Sequence, residues 1–120
     1  MSTESPCFNL KRGVNSSSHV PADNLRLELN PNGFYLLPYH HLELVKFEAG
    51  DGLDTLTLSF LKRTVLITGK NLRDLGLALQ DRYVEFVRPL PAMDRYLSLA
   101  GTGASVKSIE ITDNKENSHA

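Results

Sequence analysis

"VLITGKNLRDL", residues 65–75, decides which class of fold this chain can adopt. A β-branched apolar run, Val65 to Thr68, stops at Gly69-Lys70, and a helical pattern opens behind Asn71. Strand, glycine-lysine, helix is also the order of a phosphate-binding loop, which would imply an α/β nucleotide-binding fold. That loop requires a glycine five residues before the Gly-Lys pair and a hydroxyl directly after the lysine to ligate magnesium. Thr64 and Asn71 hold those two positions here. Without a glycine-rich turn no backbone amides converge on a phosphate, so an NTP site is excluded. What remains is a strand-to-helix joint, with Lys70 beside an amide end that attracts anions only weakly.

The helix side of the joint predicts α-structure over about 71–82. Asn71 is expected as its N-cap, and Asp74 falls in the first turn, where a carboxylate meets open amides and the positive dipole end. Leu72, Leu75, Ala78 and Leu79 share one face, with Arg73, Asp74, Gln80 and Asp81 opposite. Gly76 costs roughly 1 kcal/mol relative to alanine in a helix interior, tolerable where another backbone packs closely against it.

Upstream the pattern is that of strands. Leu25, Leu27 and Leu29 alternate with Arg26 and Glu28, and "NPNG" (30–33) then turns the chain so that Phe34 to Leu37 returns as a hairpin partner. After Pro38, Leu42 and Leu44 keep one phase while Val45 and Phe47 keep the other, the slip expected of a β-bulge; a helical turn around Leu42 and Val45 is the competing pattern. Leu56, Leu58 and Phe60 alternate cleanly with Thr55, Thr57 and Ser59. Downstream, "RYVEFVRPL" (82–90) and "SVKSIEI" (105–111) return to strand character across an irregular connection. The expected fold class is α+β: a mainly antiparallel, strongly bent or barrel-like sheet with one helix packed on it. Residues 1–22 read as a flexible leader, 23–112 as one globular domain and 113–120 as a frayed tail.

Composition narrows the setting. The chain has 120 residues, 41% hydrophobic and 22% charged, with a net charge of −1, as in an ordinary soluble domain. No apolar run reaches the length of a membrane span, and the first residues lack the basic start and apolar core of a signal peptide. Cys7 is the single cysteine, so no internal disulfide framework exists. These features lead us to expect a cytoplasmic protein.

Charge is unevenly spread. Residues 61–95 carry seven basic side chains (Lys62, Arg63, Lys70, Arg73, Arg82, Arg88, Arg95) against four acidic ones. Gathered on one face, with Tyr83, Phe86 and Tyr96 interleaved, they would form a footprint for single-stranded nucleic acid. Asp74, Asp81, Glu85 and Asp94 are mixed among them, however, and dedicated nucleic-acid binders are often strongly basic overall. Metal chemistry has one cluster, His40-His41 with Glu43. Adjacent histidines on a strand face opposite ways, so only His41 and Glu43 are able to share an ion, and His19 is the remaining third ligand. No serine or cysteine nucleophile stands in a recognisable triad context, and no cofactor motif is present.

A non-catalytic role is therefore expected. Tyr35 with Leu37, and Tyr83 with Val87, put apolar residues on both faces of their strands, and a small sheet with one helix leaves such a second face uncovered. The leading expectation is a binding or assembly module that forms a homo-oligomer. The alternative is a weak single-stranded nucleic-acid-binding β-barrel using Lys62, Arg63, Lys70, Arg73, Arg82 and Arg88. A metal-dependent enzyme around His41 and Glu43 comes third.

Overall fold

The computed structural model describes residues 7–11, 20–30, 33–89 and 105–114. They form eight strands and one helix: β1 (Phe8–Leu10), β2 (Asn24–Asn30), β3 (Gly33–Pro38), β4 (Leu42–Glu48), β5 (Asp54–Phe60), β6 (Arg63–Lys70), α1 (Arg73–Gln80), β7 (Val84–Val87) and β8 (Ser105–Asp113). A 3-10 turn, Tyr39–His41, separates β3 from β4. The strands divide into two four-stranded sheets, ordered β1-β7-β2-β3 and β4-β5-β6-β8. The α+β class with mainly antiparallel pairing holds. Neither sheet closes on itself, so the expected barrel is replaced by two open sheets that share one core.

Both sheets follow the alternation in the sequence. Leu25 and Leu27 in β2, Leu56 and Leu58 in β5, and Val65 and Ile67 in β6 are each fully buried. The suspected bulge is present: the β4–β5 register shifts between Leu42 and Leu44. In the first sheet β7 lies between β1 and β2, antiparallel to β1 and parallel to β2. Periodicity cannot show such an insertion. Only the sequence separation of β2 and β7 hints at it, since parallel neighbours need a long crossover.

Phe8–Leu10, expected within a leader, instead form β1 along β7, with Cys7 and Phe8 in the core. Lys11 donates its amide to Tyr83 O (2.7 Å) and Ala22 donates its own to Arg82 O (2.8 Å), so both ends of that segment are tied to the chain after α1. The serine-rich residues 15–18 lie outside the described residues. At the other end Asp113 closes β8, in an ion pair with Arg63 (2.9 Å), where a tail was expected to begin.

α1 is two residues shorter at each end than its sequence pattern. Asn71 is not the N-cap. It takes a left-handed conformation (φ 57°), and Leu72 occupies the cap position. Asp74 stands in the first turn as expected, and a second carboxylate comes from β5, where Asp54 Oδ2 accepts the Leu72 amide (3.2 Å). An isolated helix of eight residues is marginal in water. Burying Leu72, Leu75 and Leu79 completely, at roughly 2 kcal/mol each, outweighs the roughly 1 kcal/mol cost of Gly76. Gly76 faces a side chain rather than a backbone: a Cβ there would lie 2.9 Å from Leu56 Cδ2.

Gly69 answers to a harder constraint. The β6–β8 register shifts between Thr68 and Gly69, bringing the two backbones together. A Cβ on Gly69 would collide with the carbonyl oxygen of Ser105 and sit 3.0 Å from Val106 Cα. Gly69→Ala is expected to cost about 3 kcal/mol, read as a lower urea midpoint. A second joint is Tyr39, 3% exposed, whose hydroxyl donates to Val84 O (2.6 Å) while its amide donates to Asp23 O (3.0 Å). Burial pushes the Tyr39 phenol far above its ordinary value of 10.0. In the unfolded chain it ionises near 10, so its stabilising contribution is whole below that pH and is lost as pH rises beyond it. Tyr39→Phe should cost about 1 kcal/mol at pH 8 and flatten the fall in stability above pH 10, as seen in urea titrations across that range.

Candidate functional site

β3 is the feature the fold leaves least covered. Among the described residues it pairs with β2 alone, and Gly33, Phe34, Tyr35 and Leu36 are exposed in succession. Side chains alternate along a strand, so Phe34 (58% exposed) and Leu36 (57%) lie on the outer face of the first sheet, while Tyr35 (41%) lies at the inner rim. There Arg63 of β6 covers the Tyr35 ring, 5.6 Å from its centroid.

Pairing register then assembles the outer face from all four strands of the sheet. Asn9, Phe86, Arg26 and Leu36 form one row, with Glu28 beside Phe34 in the next. The Arg26 guanidinium sits between two rings, 5.9 Å from Phe34 and 5.3 Å from Phe86, and its Nε donates to Glu28 Oε2 at 2.7 Å. The Arg88 guanidinium also lies over the Phe86 ring (5.0 Å) and approaches Glu28 Oε1 (3.9 Å). Asn9 Nδ2 donates to Glu85 Oε1 (2.8 Å) at the far margin. The result is a ladder of rings and guanidinium groups in which both arginines contact Glu28, while Glu85 holds Asn9 at the margin. Such cation–ring contacts are worth about 0.5–1 kcal/mol each at an exposed site.

The six basic candidates do not meet on this face. Lys62 is exposed in the β5–β6 turn and Arg63 begins β6, paired with Asp113. Lys70 ends the same strand, about 23 Å away at the rise of a β-strand. Arg73 opens α1 and borders a trough between that helix and β4. Arg88 alone joins the ladder. Arg26, its centre, was not a sequence candidate. Its alternation with Leu25 and Leu27 marks it as outward-facing, but nothing local shows that Phe34 and Phe86 flank it.

Arg82 has a backbone role. It holds φ 64° just past α1, its amide donating to Leu79 O (3.0 Å) and the Tyr83 amide to Ala78 O (3.1 Å). Those two bonds are the paired C-terminal bonds of a Schellman cap, in which glycine is the favoured residue.

His40 and His41 lie in the 3-10 turn, not on a strand, and their rings meet edge-to-face at 4.4 Å. Glu43 is exposed on β4. Among the described residues no three His, Cys, Asp or Glu side chains gather closely enough to hold a metal ion, and His19 lies outside them. Cys7 belongs to the core, with the Val106 amide donating to its Sγ at 3.2 Å. No helix among the described residues is long and apolar enough to cross a membrane.

No protein-family model matches the chain, and no curated protein or solved structure matches it either. Function must therefore be argued from the surfaces themselves.

Because Arg82 bears the left-handed cost, Arg82→Gly should raise stability by about 1 kcal/mol. Thermal unfolding of the two proteins measures it.

Proposed function

We propose that this chain is a small non-catalytic assembly module that self-associates through β3. One observation carries the reading: β3 is an edge strand with apolar side chains on both faces and no charged residue from Gly33 to Leu37. Proteins ordinarily blunt exposed edges with charges, prolines or bulges. The edge strands of the second sheet do so, β4 with Glu43, Lys46 and Glu48, and β8 with Lys107, Glu110 and Asp113. β3 is unguarded apart from Pro38 at its end, and its partner is a second copy of itself.

A two-fold axis at Tyr35 would pair β3 antiparallel with its counterpart and set Phe34 beside the counterpart's Leu36, an aromatic–aliphatic cross-strand pair made twice. Four half-exposed side chains would be covered, worth roughly 1–1.5 kcal/mol each. That total only reaches the lower end of the about 4–15 kcal/mol that association costs. Backbone hydrogen bonds along the strand must supply the remainder, which makes the dimer reversible. A cytoplasmic setting accords with the single cysteine.

The alternative, a surface for single-stranded nucleic acid, has the stacked Phe34, Arg26, Phe86 and Arg88 in its favour. Such binding draws its affinity from unneutralised cations. Glu28 already engages both arginines, and the other basic residues lie elsewhere. Charge-balanced arginine and aromatic surface suits a protein interface better.

Light scattering across a concentration series should show a monomer giving way to a dimer. Leu36→Lys, a charge added to an exposed edge position, should leave a monomer with an unchanged unfolding midpoint. A wild-type protein that stays monomeric at millimolar concentration would overturn the proposal.

A further inference from the structure

The second exposed apolar site is independent of β3. β4 is an edge strand of the other sheet, and α1 runs beside it, leaving a trough of about 510 Å³ between them. Leu77 (49% exposed) stands on its helix wall and the partly buried Val45 and Phe47 on its strand wall, while the side chain of Leu44, register partner of Ser59, belongs to the other face of β4. One wall is thus a strand whose outer backbone groups pair with no other strand among the described residues, and the other is a helix stripped to its backbone at Gly76.

The direction of the helix along β4 follows from three contacts. Leu72 bonds Asp54 at the start of β5, Gly76 lies against Leu56, and Leu56 is the register partner of Phe47. α1 therefore runs along β5 and antiparallel to β4. Arg73 consequently sits at the Phe47 end of the trough, while Gln80 and Glu43 sit at the Leu42 end. Neither Arg73 nor Glu43 forms an ion pair shorter than 4 Å with another described residue. The trough is apolar along its middle, cationic at one end and anionic at the other.

We infer that this trough binds an extended peptide segment of a partner protein, added as a strand antiparallel to β4. The edge backbone specifies an extended chain, because only a strand satisfies a row of unpaired amides and carbonyls. Charge complementarity specifies what it carries. The segment's groove-facing residues, at positions i, i+2 and i+4, are acidic, apolar and basic in that order. The acidic residue meets Arg73, the apolar one lies against Val45, Phe47 and Leu77, and the basic one meets Glu43. Four residues of strand cover about 13 Å, close to the about 10 Å from Arg73 to Gln80 along the helix. The charges at Glu43, Lys46 and Glu48 deter indiscriminate edge pairing and make this edge selective where β3 is not.

The probe is a synthetic peptide, Thr-Asp-Thr-Leu-Thr-Lys-Thr with blocked ends, titrated into the ¹⁵N-labelled full chain. Carrying Leu36→Lys in the protein keeps self-association out of the measurement. Amide shifts should concentrate on Leu44–Phe47 and Arg73–Gln80. The charge-reversed peptide, Thr-Lys-Thr-Leu-Thr-Asp-Thr, should bind about fivefold more weakly, the worth of two exposed ion pairs. Arg73→Glu combined with Glu43→Lys, both at exposed positions, should invert that preference. Methylating the peptide's backbone amides should abolish binding while leaving its side chains intact. Equal affinity for the two peptides, binding that survives methylation, shifts centred on β3, or no shifts at millimolar peptide would each overturn the inference.

Discussion

The close approach of two backbones at Gly69, against Ser105 and Val106, is the constraint on which the second sheet and its join to the first depend. β8 lies along the whole of β6, from Ser105 opposite Lys70 to Asp113 opposite Arg63, only because no side chain intervenes where the register slips. Once seated, β8 presents the Val106 amide to Cys7 Sγ, and Cys7 leads directly into β1. The glycine that might have served a phosphate loop thus ties residues nearly a hundred positions apart. Its missing Cβ is needed by another strand of the same chain, not by a ligand.

Around that joint, polar contacts at a few crossing points decide how the two sheets meet. Tyr39 leads from β3 into β4 and bonds back to β7, while Asp54 accepts the amide of Leu72, the cap residue of α1. The side chains between these points are almost entirely apolar, from Leu25 and Leu27 in one sheet to Leu56, Leu58, Val65 and Ile67 in the other. Apolar burial supplies most of the favourable free energy without direction, whereas the few buried polar bonds choose among alternative packings. Function, in the reading proposed, falls on what this core cannot cover: an uncharged edge at β3 and a charge-capped trough beside β4.

Much of the strand content was legible before folding. The alternation of Leu25, Leu27 and Leu29, the turn at 30–33, and the clean period of Leu56, Leu58 and Phe60 mark β2, β3 and β5, and the phase slip near Leu44 marks the bulge. The pairs Tyr35 with Leu37 and Tyr83 with Val87 named the wrong side chains for an uncovered surface: Leu37 and Val87 are buried, and Phe34 and Leu36 are the exposed pair on β3. Less legible were the elements whose stability comes from distant partners. β1 has only three residues and sits in a polar stretch, yet Phe8 pairs with Val87 and is buried. Asn71 carries the side chain of a cap but adopts the left-handed conformation, and the next amide, that of Leu72, is taken by the carboxylate of Asp54.

The amino-acid sequence by itself determined the class of the fold, the place of its helix, the absence of a phosphate loop and the apolar character of β3. Each of these depends on residues within a few positions of one another, where period, turn chemistry and spacing act directly. Tertiary structure alone decided that the strands divide into two open sheets and that β7 enters between β1 and β2. It also decided that Arg26, not the run of basic residues after position 61, lies between two rings, and that Arg73 and Glu43 stand at opposite ends of one trough. Those outcomes depend on strand pairing between distant segments. Pairing is set by the sum of many weak packing contacts, and no local pattern encodes that sum.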